Sequence, residues 1–172
     1  MKAPDTKLLC SLLLLIANMG INCKVHWINI IWKTKFFDLI RLLLQSEKTM
    51  PDQIFDYLAW ISKLLARVAA EIELDEESRE LLISIAHKGI FRNSQSRYML
   101  DSLKTIEKLA KNFDDDINKL ASMESITRIV NLLEHPNTNI VQASINCLCQ
   151  FFCSSNSKII DWALTAGLLE KV

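Results

Sequence analysis

Three cysteines lie close together near the end of the sequence, where they could act as metal ligands. Cys149 and Cys153 are four residues apart, so a helix places both thiols on one face, and Cys147 precedes them. A zinc site takes about four ligands, and no second pair of Cys or His occurs at metal-site spacing. We therefore predict buried thiols that pack as small apolar groups in a reducing compartment, with no metal and no cofactor.

The other reactive side chains do not form a recognisable catalytic set. His26, His87 and His135 are far apart in the sequence, and no Ser, Cys or Asp lies at a catalytic spacing from them. The acidic run at 114–116 lacks the Gly and the distal Glu of a calcium loop, so we expect a solvated surface. The sequence predicts that the chain is not an enzyme.

The composition narrows the fold class and the kind of partner. The 172 residues include 20 Lys and Arg and 20 Asp and Glu, so the chain has no cationic excess for binding nucleic acid. Half of the residues are apolar, only three are Gly and three are Pro, and the period-2 alternation of strands is scarce. These features predict an all-α protein.

An internal repeat makes the all-α prediction more specific. Apolar helices close at Ala17, Ala66, Ala110 and Cys153, at intervals of roughly 43 to 49 residues, the period of armadillo and HEAT repeats. Because one helix pair cannot bury its own apolar face, neighbouring repeats must stack into a continuous core. We predict a single armadillo-repeat domain, a right-handed α-solenoid, and we expect both of its ends to be incomplete. The predicted units are 8–46, 47–80, 81–123 and 124–172.

The clearest family resemblance lies in the last unit. Pro136 marks a short turn, an apolar helix follows over 140–152, and Ala166-Gly167 ends a further helix before a Leu-Leu pair. This order of elements resembles an armadillo repeat of importin alpha, the family of nuclear import adaptors. The resemblance implies a protein partner whose peptide segment lies in a concave groove lined by the third helix of each unit. It also implies a location in the cytoplasm and the nucleus.

Importin alpha carries a Trp and an Asn one turn apart on that third helix. The Trp rings flank a cargo Lys, and the Asn amide binds the peptide backbone, so basic localisation signals are recognised. At the matching positions this sequence has Lys104 and Lys108 in the third unit, and Asn146 and Gln150 in the last. The candidate groove residues are Trp60, Lys63, Lys104, Lys108, Asn146 and Gln150.

Two registers are open for the helix of the second unit. If Trp60 takes the groove position, Leu64 replaces the Asn; in the register that aligns Ser62 instead, Ala59 and Lys63 face the groove and Trp60 is displaced toward its flank. The main function prediction is an importin-alpha-like adaptor that binds nuclear localisation peptides. Because the amino-terminal segment is short and carries only two lysines, we expect no direct recruitment of importin beta.

Two alternatives to this function stay open. Lys104 and Lys108 would repel a basic peptide, so the first is an armadillo or HEAT scaffold whose groove takes another, acidic, partner. The second is a secreted or membrane-associated helical protein in which 8–17 is a targeting segment. This run is about ten residues long, too short to span a bilayer, and no clear cleavage site follows it. We therefore favour a core helix there, with neither a membrane nor nucleic acid as a partner.

Overall fold

The computed structural model describes residues 6–22, 27, 31, 35–45, 51–92, 96–154 and 156–171. Within these ranges the regular elements are helical, which confirms the all-α prediction. The α-helices are α1 (Thr6–Asn22), α2 (Phe36–Gln45), α3 (Asp52–Val68), α4 (Glu76–Phe91), α5 (Ser96–Asn112), α6 (Ile117–Leu120), α7 (Met123–Asn131), α8 (Thr138–Phe152), α9 (Ser157–Thr165) and α10 (Leu168–Lys171). Two 3₁₀ turns, Asp114–Asp116 and Leu132–Glu134, lie between them.

The helices form two layers. In the first layer the long helices α1, α3, α5 and α8 pack side by side in chain order. The second layer holds α2, α4, α7 and α9, each packed against its neighbour along the chain. One apolar core runs between the layers, from Leu13 in α1 to Ile159 in α9. The chain is therefore a stack of helical units, and each long helix leaves one side open to solvent. The division of the chain into four units at the stated boundaries stays a prediction.

The first helix is longer than its sequence suggests. The polar residues from Asn18 onward predict a break, but α1 continues to Asn22. Gly20 lets Trp27 pack against the end of this helix, because a Cβ there would lie 2.8 Å from the Trp27 ring, whose indole N–H donates to the Ile16 carbonyl at 2.6 Å. Leu13 is fully buried on one side of α1, whereas leucines on its other side are exposed. Among the described helices, none is long and apolar enough to cross a membrane.

The fourth helix begins earlier than the composition around it suggests. The acidic composition of 71–79 suggests a linker and a helix from Leu81, but α4 begins at Glu76. Asp75 caps this helix by accepting a hydrogen bond from the Ser78 N–H at 2.8 Å. The acidic side chains of the first turn also face the positive end of the helix dipole. The predicted boundary at residues 80 and 81 thus falls inside α4.

The acidic run at 114–116 is also not the solvated surface that its composition suggests. Asp114 and Asp115 are exposed, but Asp116 is 1% exposed. Its carboxylate accepts a hydrogen bond from Arg79 Nε at 2.5 Å, and the same guanidinium donates to the Leu74 carbonyl at 2.6 Å. A buried charge is stable only when it is paired in this way. Asp116 therefore joins α4 to the turn before the next unit.

We predict that Asp116→Asn lowers the free energy of unfolding by about 3 kcal/mol, because Arg79 loses its ionic partner in a site with little access to water. Asp115→Asn is the matched control, and it should change stability by less than about 0.5 kcal/mol because Asp115 is exposed. Urea denaturation followed by circular dichroism measures both values. Equal stability of the two variants would show that the buried pair contributes nothing.

Candidate functional site

The open sides of α3, α5 and α8 form one continuous surface, which we call the groove face. The helical spacing of three and four residues places its members along one side of each helix. It consists of Trp60, Lys63, Arg67, Arg97, Lys104, Glu107, Lys108, Lys111, Asn146, Cys149 and Gln150, all of them at least partly exposed. The six residues singled out from the sequence all belong to this surface, and their role in binding stays a prediction.

The burial pattern sets the register between the three helices. Leu58 and Leu65 in α3 are buried, and so are the residues 44 positions after them in α5. The residues a further 42 positions along, in α8, are buried as well. This register places Trp60, Lys104 and Asn146 in one row across the three helices. Ala59, which the alternative alignment places in the groove together with Lys63, is only 3% exposed. The same register places Leu64, Lys108 and Gln150 in a second row, one helical turn further along. Leu64 is buried, whereas Lys108 and Gln150 are partly exposed.

The Trp60 ring already has a cation against it. The guanidinium carbon of Arg97, on the neighbouring helix α5, lies 5.2 Å from the centroid of the ring. This distance allows a cation–π interaction, which is stronger for Trp than for other aromatic rings. The Trp60 ring therefore already has a cationic partner within the protein.

Lys63 is a tether between two helices. Its ammonium group contacts a carboxylate oxygen of Asp101 at 2.5 Å, and Asp101 is only 5% exposed. If Lys63 turned toward a ligand, it would leave the buried carboxylate of Asp101 without its ionic and hydrogen-bonding partner. Among the candidate residues, Lys63 therefore serves mainly to hold α3 and α5 together.

The remaining cations of the groove face form a stripe along α5. Arg97, Lys104 and Lys111 follow one another at seven-residue spacing and are all exposed. Lys108 lies between them and contacts Glu107 at 3.5 Å. Lys104 and Lys111, and also Arg67 in α3, have no ion pair within the described part of the chain. The seven-residue spacing was present in the sequence and could have identified Arg97 and Lys111 as site residues.

Helix α8 contributes amides and thiols to the groove face and contains no charged residue. The Gln142 amide N–H donates to Asn146 Oδ1 at 3.0 Å, so the Asn146 N–H groups take no part in this bond. Cys149 is exposed between Asn146 and Gln150. The apolar run at 140–152 therefore forms an amphipathic helix with one side exposed.

The thiols of this helix differ in environment. Cys147 is fully buried and donates to the Leu103 carbonyl at 3.2 Å, whereas Cys149 and Cys153 are exposed, so the prediction of buried thiols fails for these two. Burial, and then the negative charge of Glu107, raise the pKa of the Cys147 thiol. Within the described residues, no three His, Cys, Asp or Glu side chains lie close enough together to hold a metal ion.

The two described histidines have structural contacts. His87 Nε2 lies 3.1 Å from the Leu120 carbonyl oxygen, and burial lowers the pKa of its ring. His135 Nδ1 accepts a hydrogen bond from the Asn137 N–H at 3.0 Å. His26 lies outside the described residues. Neither described ring belongs to the groove face.

We predict that iodoacetamide modifies Cys149 and Cys153 in the native protein at least about tenfold faster than Cys147. The buried thiol becomes reactive only when the helix opens, and its raised pKa keeps it protonated. Peptide mapping by mass spectrometry over time separates the thiols, with Cys147 as the internal control on the same helix. Similar rates for Cys147 and Cys149 in the folded protein would contradict the assignment of faces on α8.

Comparisons with known proteins agree with this two-layer stack. No family model and no curated protein sequence matches the chain. A designed armadillo repeat protein in complex with the peptide (KR)4 is similar in structure, with a TM-score of 0.75, 15% identity, and coverage of 99% of this chain and 68% of that one. A second designed armadillo repeat protein gives the same values, and an engineered protein gives 0.72, 16%, 99% and 67%. These likenesses and the order of the helices show that the protein has the fold of an armadillo-repeat solenoid.

Proposed function

We propose that the protein is an armadillo scaffold that binds an extended segment of a protein partner across its groove face. The observation that carries this proposal is the row of Trp60, Lys104 and Asn146, which presents one large or polar side chain from each of three stacked helices. Such a row suits a linear ligand that crosses the helices, because it offers a contact at each step.

The spacing of the helices fits the repeat of an extended peptide. Packed helices are about 8 to 10 Å apart, and an extended chain advances about 3.3 Å per residue, so each helix meets about every third residue. Asn146 and Gln150 carry amides that can donate to peptide carbonyls and accept from peptide N–H groups. Amide contacts to the backbone give affinity that does not depend on the side chains of the ligand.

The structural neighbours support a binding function of this kind. One of the designed armadillo proteins of the same fold is in complex with a peptide. Nothing in the described part of the chain supports catalysis, since its histidines bond to backbone groups away from the groove face. A location in the cytoplasm and the nucleus stays a prediction.

Nuclear import of basic cargo is the second candidate function, and one observation favours it. The peptide bound to that designed neighbour is the basic sequence (KR)4. Two features of this chain count against it: Arg97 lies against the Trp60 ring, and Lys104 lies in the same row. We therefore keep the broader scaffold function as the main proposal.

Selection from a library of random peptides about twelve residues long, which span about 40 Å when extended, tests the proposal. We expect selected peptides to bind the Asn146→Ala, Gln150→Ala double variant about tenfold more weakly, because two backbone-bonding amides are lost. Isothermal titration measures the affinities. A bound peptide should also slow alkylation of Cys149, which lies between the two amides.

The control is Asn131→Ala, which removes an exposed amide from α7 in the other layer and should leave peptide affinity unchanged. Peptides that bind the double variant as tightly as the native protein, and that leave the alkylation of Cys149 unchanged, would place the binding surface elsewhere. Circular dichroism checks that each variant keeps the helical content of the native protein.

A further inference from the structure

We infer that the segment bound by the groove face is acidic, with carboxylate side chains that contact Lys104 and its neighbouring cations. This inference rests on the proposed function, and it names the chemistry of the ligand that the same surface takes. The second candidate function requires a basic ligand, which these cations would repel.

The first support is the charge balance of the groove face. Its exposed charged residues are all cations: Arg67, Arg97, Lys104 and Lys111. Its acidic neighbours are less available, because Asp101 is buried against Lys63, Glu107 is partly buried beside Lys108, and Asp56 is partly buried where it already interacts with Arg97. The surface that a ligand meets is therefore positive, although the whole chain has no net charge.

The second support is the position of Lys104 along its helix. Arg67 and Lys111 lie in the last turns of α3 and α5, where a cation also stabilises the negative end of its own helix dipole. Lys104 lies in the middle of α5, where the dipole has no such effect, and it has no ionic partner among the described residues. A solvated lysine in the centre of a row of ligand-facing positions points to a ligand anion.

The third support comes from Trp60. A basic ligand would have to displace Arg97 from the Trp60 ring and approach Lys104 without compensation, since like charges in one site repel. An acidic ligand leaves the Arg97 contact in place. Arg97, which is exposed, then lies at one end of the path, and its guanidinium can also donate two parallel hydrogen bonds to a carboxylate.

The acidic residues of the chain are concentrated away from this surface. Glu76, Glu77 and Glu80 lie on α4 in the second layer, where they pair with cations of neighbouring helices. Helix α5, in contrast, carries four cations and only two carboxylates, so the neutral total hides a separation of charge with a positive excess on the groove side. A separation of this kind steers a charged ligand toward one face and raises its association rate.

Fluorescence anisotropy with four labelled probes tests the inference on the full chain. Three are peptides of about eight residues, alternating Ser with Glu, with Lys or with Thr, and the fourth is a single-stranded oligo-dT. We expect the Glu-Ser peptide to bind most tightly, to lose affinity as salt rises and to slow the alkylation of Cys149. Preference for the Lys-Ser peptide would overturn the inference, and preference for the oligonucleotide would assign the cations to a nucleic acid.

A charge-reversal variant gives an outcome that misfolding cannot imitate. Lys104→Glu with Lys111→Glu should weaken binding of the Glu-Ser peptide about tenfold and increase binding of the Lys-Ser peptide. Lys158→Glu, an equal change per residue at an exposed position of α9, is the control and should leave both affinities unchanged. Acidic binding that survives the double reversal would overturn the inference.

The results also separate this inference from the proposed function. If the Thr-Ser or Lys-Ser peptide protects Cys149 and the Glu-Ser peptide does not, the groove binds peptides but the acidic ligand is wrong. If neither these probes nor library peptides protect Cys149, the groove-binding function itself is wrong, and the inference fails with it.

Discussion

Contact between each long helix and the next is the constraint on which the rest of the structure depends. A single amphipathic helix pair cannot bury its apolar surface alone, so α3 packs against α1 and α5, and α5 against α8. The polar contacts follow the same rule. Arg79–Asp116, Lys63–Asp101 and the bond from Cys147 to the Leu103 carbonyl join residues 37 to 44 positions apart, about one repeat. Stability is thus a sum of interfaces between neighbouring units.

The groove face is a consequence of this stacking. The long helices use one side for the core and others for their neighbours, and α3, α5 and α8 present the side that remains in one register. A row such as Trp60, Lys104 and Asn146 therefore needs no loop to assemble it. Because the scaffold supplies the positions, the identity of the ligand depends on a few exposed side chains, and these can change without affecting the fold.

The sequence predicted the helices and their stacking well, because both follow from apolar spacing and an internal period. It also placed Lys104, Lys108, Asn146 and Gln150 on the exposed side of their helices. It did not determine the register of Trp60, since Ser62 fits the apolar spacing of α3 equally well. The burial of Asp116 and the contact between Arg97 and Trp60 were also missed, because they depend on partners about 37 residues away. The Asp75 cap, in contrast, depends only on residues next to it in the sequence, so it could have been predicted.

The tethers between units differ in their access to water, and so they respond differently to salt. On the groove side, Lys63 holds a buried Asp101, whereas in the other layer Arg41–Glu77 and Lys119–Glu76 are exposed. Rising salt weakens exposed ion pairs, but it affects a buried pair much less. Contacts between units in the outer layer are therefore more sensitive to ionic strength than the Lys63–Asp101 contact, and the buried Arg79–Asp116 pair is what holds that layer when salt is high.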